Sequence, residues 1–196
     1  MINTPHPNFD NAYWTNRYAE KQTGWDIGLP STPLKEYIDQ LKDPSIKILI
    51  PGCGNAYEAG YLVQKGFTNL TLIDISALLV NNLRLKFADQ PVNIIHEDFF
   101  LHQDKYDLVL EQTFFCALHP SQRIDYAGKI KELLNEEGKL AGVLFDREFE
   151  GGPPFGGHRE EYRQLFSACF SNVKISTCYN SIESRKGTEV FMILKK

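Results

Sequence analysis

A chain of 196 residues, 42% of them hydrophobic, is long enough to bury a sizeable core and short for two domains, so a single domain over 1–196 is expected. Its formal net charge of −4, from 21 basic and 25 acidic residues without long blocks, argues against nucleic acid or an anionic membrane as partner. The start, Met1-Ile2-Asn3-Thr4-Pro5, lacks the basic and apolar parts of a signal peptide and no stretch approaches a membrane span, so a cytoplasmic monomer is expected.

The leading segment, residues 1–31, carries both tryptophans. Tyr13, Trp14, Arg17 and Tyr18 recur at helical spacing, which puts them on one face of a short helix ahead of Gly24-Trp25-Asp26-Ile27-Gly28. Such a face either packs on the domain or caps a ligand. The density of rings favours a lid, and ring faces attract a sulfonium. Thr32-Pro33 then opens an amphipathic scaffold helix.

Residues 46–50 read as a buried strand, stopped by Pro51-Gly52-Cys53-Gly54. Gly52 and Gly54 permit backbone angles closed to other residues and bring the main chain close to a ligand. The next apolar run ends on Asp74, about 20 residues beyond the turn, where a carboxylate can accept from both ribose hydroxyls of a nucleoside. A dinucleotide fingerprint would place a third glycine where Tyr57 stands, and no triphosphate-cradling G-x-x-x-x-G-K-[ST] run is present. A nucleoside without phosphates remains, and S-adenosylmethionine fits.

Helices are expected over 56–64 and 76–87 and a third strand over 92–96, followed by Glu97-Asp98-Phe99-Phe100, which suits either an adenine or a plain polar turn. A fourth strand over 106–113 offers Glu111, Gln112 and Thr113 at its tip, where open parallel sheets hold ligands. His119-Pro120-Ser121 opens a helix closed by Glu136-Glu137-Gly138. A strand over 140–145, a glycine-proline loop, a helix over 159–170 and a closing antiparallel hairpin, 173–179 with 189–194, complete the chain. The alternation predicts an α/β fold: a mostly parallel seven-stranded sheet with helices on both faces. Cysteines 53, 116, 169 and 178 form no C-x-x-C pair, so structural thiols and no metal site are expected.

Trp14 with Trp25-Asp26, Pro51-Gly52-Cys53-Gly54, Asp74-Ile75-Ser76, Glu97-Asp98-Phe99-Phe100, the run from Glu111 to Pro120 and Gly152-Pro153-Pro154-Phe155 together resemble the thiopurine S-methyltransferase family of class I S-adenosylmethionine-dependent methyltransferases, especially its halide and thiol branch. The resemblance spans nearly the whole chain and implies a Rossmann-like fold. It also implies that Trp14, Tyr18 and Trp25 close over the cofactor, with Tyr18 where relatives carry tryptophan. Gly52 and Gly54 would approach the methionine portion, Asp74 and Ser76 the ribose side, Asp98 and Phe99 the adenine, and Glu111 and Gln112 the methionine portion or methyl group. Thiopurine enzymes carry arginine about where Gln112 stands, and some halide-branch relatives carry tyrosine where Phe155 stands.

Phe114, Phe115, Phe155 and the 151–157 loop follow the fourth and fifth strands and are expected to line an apolar acceptor pocket. No histidine and acid pair stands out as a general base, and His119 and His158 read as capping or surface groups. A thiol, sulfide or halide needs little proton removal, so desolvation and alignment suffice. An oxygen or nitrogen acceptor, or a cofactor-binding protein without turnover, stays open at this point.

Overall fold

The computed structural model describes residues 9–196; residues 1–8, which include the start and the first part of the lid segment, lie outside the described residues. Strands β1 (Ile48–Pro51), β2 (Leu70–Asp74), β3 (Val92–His96), β4 (Tyr106–Gln112), β5 (Leu134–Phe145), β6 (Asn172–Thr177) and β7 (Glu189–Lys195) form one sheet in the order β3-β2-β1-β4-β5-β7-β6. The first five are parallel to one another, and β7 enters antiparallel between β5 and the edge strand β6. Helices α1 (Asn11–Ala19), α2 (Thr32–Ile38), α3 (Tyr57–Gln64), α4 (Ala77–Lys86), α5 (Arg123–Leu133) and α6 (Arg159–Ser167) complete the expected α/β alternation. No helix among the described residues is long and apolar enough to cross a membrane.

Two apolar clusters sandwich the sheet. Leu34, Ile50, Leu62, Leu72 and Leu83 belong to one, and Leu49, Val109, Phe115, Tyr126, Phe166 and Met192 to the other. Adjacent strand residues such as Leu49 and Ile50 therefore feed opposite faces, as the two-residue period of a strand requires. Both faces are covered, which is why the central strands read as continuous apolar runs.

Boundaries move where backbone groups find other partners. The first strand starts at Ile48 rather than 46 because the Lys47 amide donates to the Asp107 carboxylate (2.8 Å). The fifth strand begins at Leu134, six residues earlier than expected, because Leu134 already pairs with Tyr106 before a shift in register. Within it Glu137 takes a left-handed φ of +66° and Gly138 packs so tightly that a Cβ would stand 2.8 Å from the Asn135 carbonyl. Glu136-Glu137-Gly138 thus kinks a strand instead of ending a helix.

Candidate active site

The sheet order reverses between β1 and β4, so the chain leaves these two strand tips in opposite directions and opens a crevice. A cavity of about 700 Å³ fills that crevice, a size suited to a nucleoside cofactor with a small second ligand. At the β1 tip, residues 52, 54 and 56 all adopt left-handed φ values, +54°, +51° and +52°, so alternate peptide groups wind into a concave turn. Ala56 takes this conformation without glycine's freedom and also caps α3. Thr113, at the β4 tip, is left-handed too, at +59°.

Gly52 meets a neighbour more than open space: a Cβ there would lie 2.2 Å from the Phe114 ring. The glycine lets the β4 tip close on the β1 tip. Gly54 faces Tyr18, whose hydroxyl would stand 3.4 Å from an added Cβ.

Asp74 is 8% exposed, with one oxygen accepting from the Ser76 amide (2.9 Å) and the other from the Gly54 amide (3.4 Å). Burial pushes its carboxyl up to about 6 despite those backbone donors, which pull the other way. Burial and the neighbouring Asp74 charge also raise the Tyr18 phenol. Asp98 bonds the Phe100 amide (2.9 Å), and Phe99 stacks edge-on against Phe114 with ring centroids 5.1 Å apart. Glu97 is held by His102 (2.8 Å), which also contacts the Tyr106 hydroxyl (2.8 Å). This histidine and acid pair was not anticipated from the sequence; Glu97 lines the cavity beyond β3 and His102 is buried without lining it.

Across the crevice Trp14 and Tyr18 from α1 meet Trp25 edge to face, at centroid distances of 5.6 and 5.8 Å. Arg17 lies over the Trp25 ring. Asp26 ties this wall to the glycine turn by accepting from Asn55 Nδ2 and from the Tyr57 hydroxyl. The Trp25 carbonyl accepts from Arg185 Nη2 (3.0 Å), which reaches in from the turn before β7. Two buried polar atoms among the cavity-lining residues lack a protein partner, Gln112 Oε1 and Arg17 Nε. An acceptor and a donor left orphaned suit the amino and carboxylate ends of the S-adenosylmethionine amino acid.

Trp14, Tyr18, Trp25, Gly52, Gly54, Asp74, Asp98, Phe99, Gln112 and Phe114 all line the cavity, and four other expected site residues do not. Ser76 is fully buried as the N-cap of α4, and its hydroxyl meets Thr15 of α1 (3.1 Å). Glu111 turns away beneath the tip: Oε1 accepts from the amides of Phe114 (2.8 Å) and Phe115 (2.9 Å), and Oε2 from Tyr126 (2.8 Å). Burial drives its carboxyl up to about 7. Phe115 is core, against Tyr126, Tyr162 and Phe166. Phe155 packs on Gly152 and His119, leaving Pro153 and Pro154 to face the cavity.

The far end is built from loops after β4, β5 and before β7: Leu118, His119, Phe145, Arg147, Phe149, Pro153 and Arg185. His119 caps the turn before α5 with Nδ1 on Ser121 (2.8 Å), and His158 sits outside against Glu148 (3.1 Å). Cys116 lines the cavity with its thiol pushed up to about 12 by burial. The arginines escaped sequence reading because Arg147 lies in an irregular loop and Arg185 in a polar turn, neither with a periodicity to flag it.

A model of the thiopurine S-methyltransferase family matches residues 9–193. Probable thiol methyltransferase 2 of Arabidopsis thaliana is 29% identical over 184 residues, covering 90% of this chain and 81% of that protein. Thiocyanate methyltransferase 1 of the same plant is 25% identical, with 94% and 84% covered. Thiopurine S-methyltransferase of Vibrio campbellii is 28% identical, with 80% and 82% covered. Among solved structures, 1,6-didemethyltoxoflavin-N1-methyltransferase of Burkholderia thailandensis, with S-adenosylhomocysteine bound, superposes with a TM-score of 0.73 at 15% identity, covering 95% of this chain and 86% of that one. A TehB-like S-adenosylmethionine-dependent methyltransferase of Corynebacterium glutamicum gives 0.70 at 17%, covering 95% and 100%. At such identities these two speak for the fold.

Proposed function

The chain belongs to the thiopurine S-methyltransferase family, and from that premise we propose that this S-adenosylmethionine-dependent methyltransferase acts on a small soft nucleophile, a thiol, sulfide or halide. The observation that carries this reading is one cavity with two unlike ends. Asp74, Asp98 and the orphaned Gln112 suit the cofactor, while Phe114, Leu118, Phe145, Phe149 and Pro153 make the other end largely apolar. Bound S-adenosylmethionine supplies a methyl group on a sulfonium. Asp74 accepts from the ribose, Asp98 and Phe99 take the adenine, Gln112 and Arg17 the amino-acid end, and Trp14, Tyr18 and Trp25 close over it. An apolar wall strips water from a polarizable anion at less cost than from alkoxide, and its alignment with the methyl group supplies the rest. His119, already engaged in capping, leaves proton removal to solvent.

Residues 9–30 serve as a lid, since α1 buries none of its own residues and the segment is held by a few polar contacts, Asn11 and Thr15 to the start of α4 and Asp26 to the glycine turn. The same reading has a cytoplasmic monomer that uses no nucleic-acid or membrane partner, with the net charge of −4 in its support; light scattering reads the assembly state. The deciding experiment is S-adenosylhomocysteine release with sulfide, small thiols and halides. Turnover should fall from iodide through bromide to chloride, and rise for thiols as pH nears their pKa, about 8.5 for a cysteine-like thiol. Brisk methylation of a phenol or an amine with no turnover of sulfide, thiols or iodide overturns the reading.

A further inference from the structure

The two ends of the cavity differ in charge as well as polarity. Asp26, Glu58, Asp74, Glu97 and Asp98 line the cofactor side; Asp10, beside the Phe9 that packs on Phe155, also lines the cavity, and the loop end carries Arg147 and Arg185. Arg185 is committed: its guanidinium donates to the Trp25 carbonyl, lies 3.5 Å from the buried Glu189 and rests over Phe145. Arg147 differs. Its guanidinium lies 4.7 Å from the Phe149 ring centroid, Nε makes a long contact to the Glu148 carbonyl (3.4 Å), and no carboxylate is paired with it among the described residues. The acids beside it are taken elsewhere, Asp146 by Arg159 (2.7 Å) and Glu148 by His158.

The backbone that presents Arg147 is held firmly. Residue 147 bridges to Gly157, and a Cβ at Gly156 would stand 2.1 Å from the Arg147 carbonyl. Arg123, from α5, donates to the Gly156 carbonyl (2.6 Å), and the Phe155 amide donates to the Cys116 carbonyl (2.6 Å). A braced loop base therefore holds an exposed arginine, paired with no carboxylate among the described residues, at the rim of a chamber whose opposite side receives the methyl donor.

Resting on the reading above, we propose that the acceptor is a short thiol carrying a carboxylate, with Arg147 as the residue that selects for that second anionic group. Guanidinium and carboxylate match as a planar fork, and the ring of Phe149 beneath Arg147 keeps the fork from folding back. A bare halide or sulfide would leave this cation unused.

The test compares 3-mercaptopropionate with 3-mercaptopropan-1-ol, matched in length and differing in charge, with rates expressed per thiolate present. The wild-type protein should favour the carboxylate in kcat/KM by about tenfold, the effect of one well-formed charge-assisted pair at a partly wet site. In Arg147→Gln the ratio should collapse toward one, and Arg147→Lys should restore part of it. A second arm needs no turnover: calorimetry of the two thioether products on protein loaded with S-adenosylhomocysteine should show the same preference. Equal kcat/KM for both thiols in the wild type overturns the proposal and leaves the soft-nucleophile reading standing. A preference that survives Arg147→Gln removes Arg147 from the role. Absence of turnover with either thiol overturns the thiol acceptor proposed here, while the soft-nucleophile reading falls only if sulfide and iodide fail as well; the calorimetric arm then still decides whether Arg147 holds a carboxylate.

Discussion

The cofactor end and the loop end of the cavity are made by different means. At the cofactor end the chemistry sits in backbone at strand tips: left-handed turns at 52, 54 and 56, and a carboxylate braced by two amides. At the loop end it sits in side chains from three loops that meet only in the folded state. Structure carried by backbone leaves its mark in sequence as glycine and acid spacing. Structure carried by loop convergence leaves a fainter one, a glycine-proline run without periodicity, and neighbours in sequence there take opposite roles.

Phe114 and Phe115 give the sharpest form of that contrast. Phe115 is 1% exposed within an aromatic cluster, while Phe114 lines the cavity and covers Gly52. Phe115→Ala should cost about 3–5 kcal/mol of stability, as large truncations in cores do, and lower Tm by roughly 10 °C. Phe114→Ala should cost less in Tm and more in acceptor turnover. Equal Tm losses with equal kinetics would mean that the two rings share one environment, against this structure.

Glu111 extends the comparison to a carboxylate that braces the site from below. Its folded pKa, about 7, lies above the ordinary value of 4.5. The folded form therefore holds its proton more tightly, a contribution fully present below pH 4.5 and lost as pH rises through 7. At about 1.4 kcal/mol per pH unit this is on the order of 3 kcal/mol. Glu111→Gln keeps an acceptor for the Phe114 and Phe115 amides and has nothing to titrate. Denaturant unfolding at pH 5 and pH 8 should show that decline in the wild type and a much smaller one in the variant. Parallel curves would show that Glu111 is not the group responsible.

On the cofactor side Asp74 works the other way, since in its proposed role the ionised form is the one that accepts from the ribose. Its pKa of about 6 means that S-adenosylhomocysteine affinity should climb as pH rises through 6 and then level off. Asp74→Ala should weaken binding by about 1.5–3 kcal/mol for each charge-assisted hydrogen bond lost, and Asp74→Asn should flatten the pH dependence. Calorimetry across pH 5–8 checks both, and a wild-type affinity indifferent to pH would remove Asp74 from the ribose role.

The sheet, its seven strands and the closing antiparallel pair were legible because buried strands are apolar and glycine or proline marks their ends. Ten of the residues expected at the site line the cavity for the same reason: they sit at strand tips or on one helical face. Glu111 lies off the cavity because a strand-tip position names a place and not a direction; its side chain follows the alternation of β4 downward into Tyr126. Phe115 lies off the cavity because a 3-10 turn beginning there buries it in the aromatic cluster, while Phe114, packed on that cluster's edge, still reaches the cavity. Arg185 was hidden because its partner, the Trp25 carbonyl, lies 160 residues away and carries no side-chain signature.

That last contact yields the smallest expected effect and the one that joins the two regions. Arg185 donates across the cavity from the β7 turn to the Trp25 carbonyl, so the loop end helps to hold the segment proposed as a lid. Arg185→Ala is a poor probe because it would strand Glu189, which is 4% exposed, without its cation. Arg185→Lys keeps a charge beside Glu189 and loses the planar fork needed to serve both partners. One hydrogen bond of about 1 kcal/mol should then be missing from the lid, and amide exchange across residues 23–30 in the ligand-free protein should quicken about fivefold. Added S-adenosylhomocysteine should slow exchange across residues 9–30 in both proteins, and more in the variant, because the wild-type lid is already partly fastened. Exchange across 23–30 that ignores the substitution would leave Trp25 held by Asp26 and ring packing alone, and the two ends of the cavity would be mechanically independent.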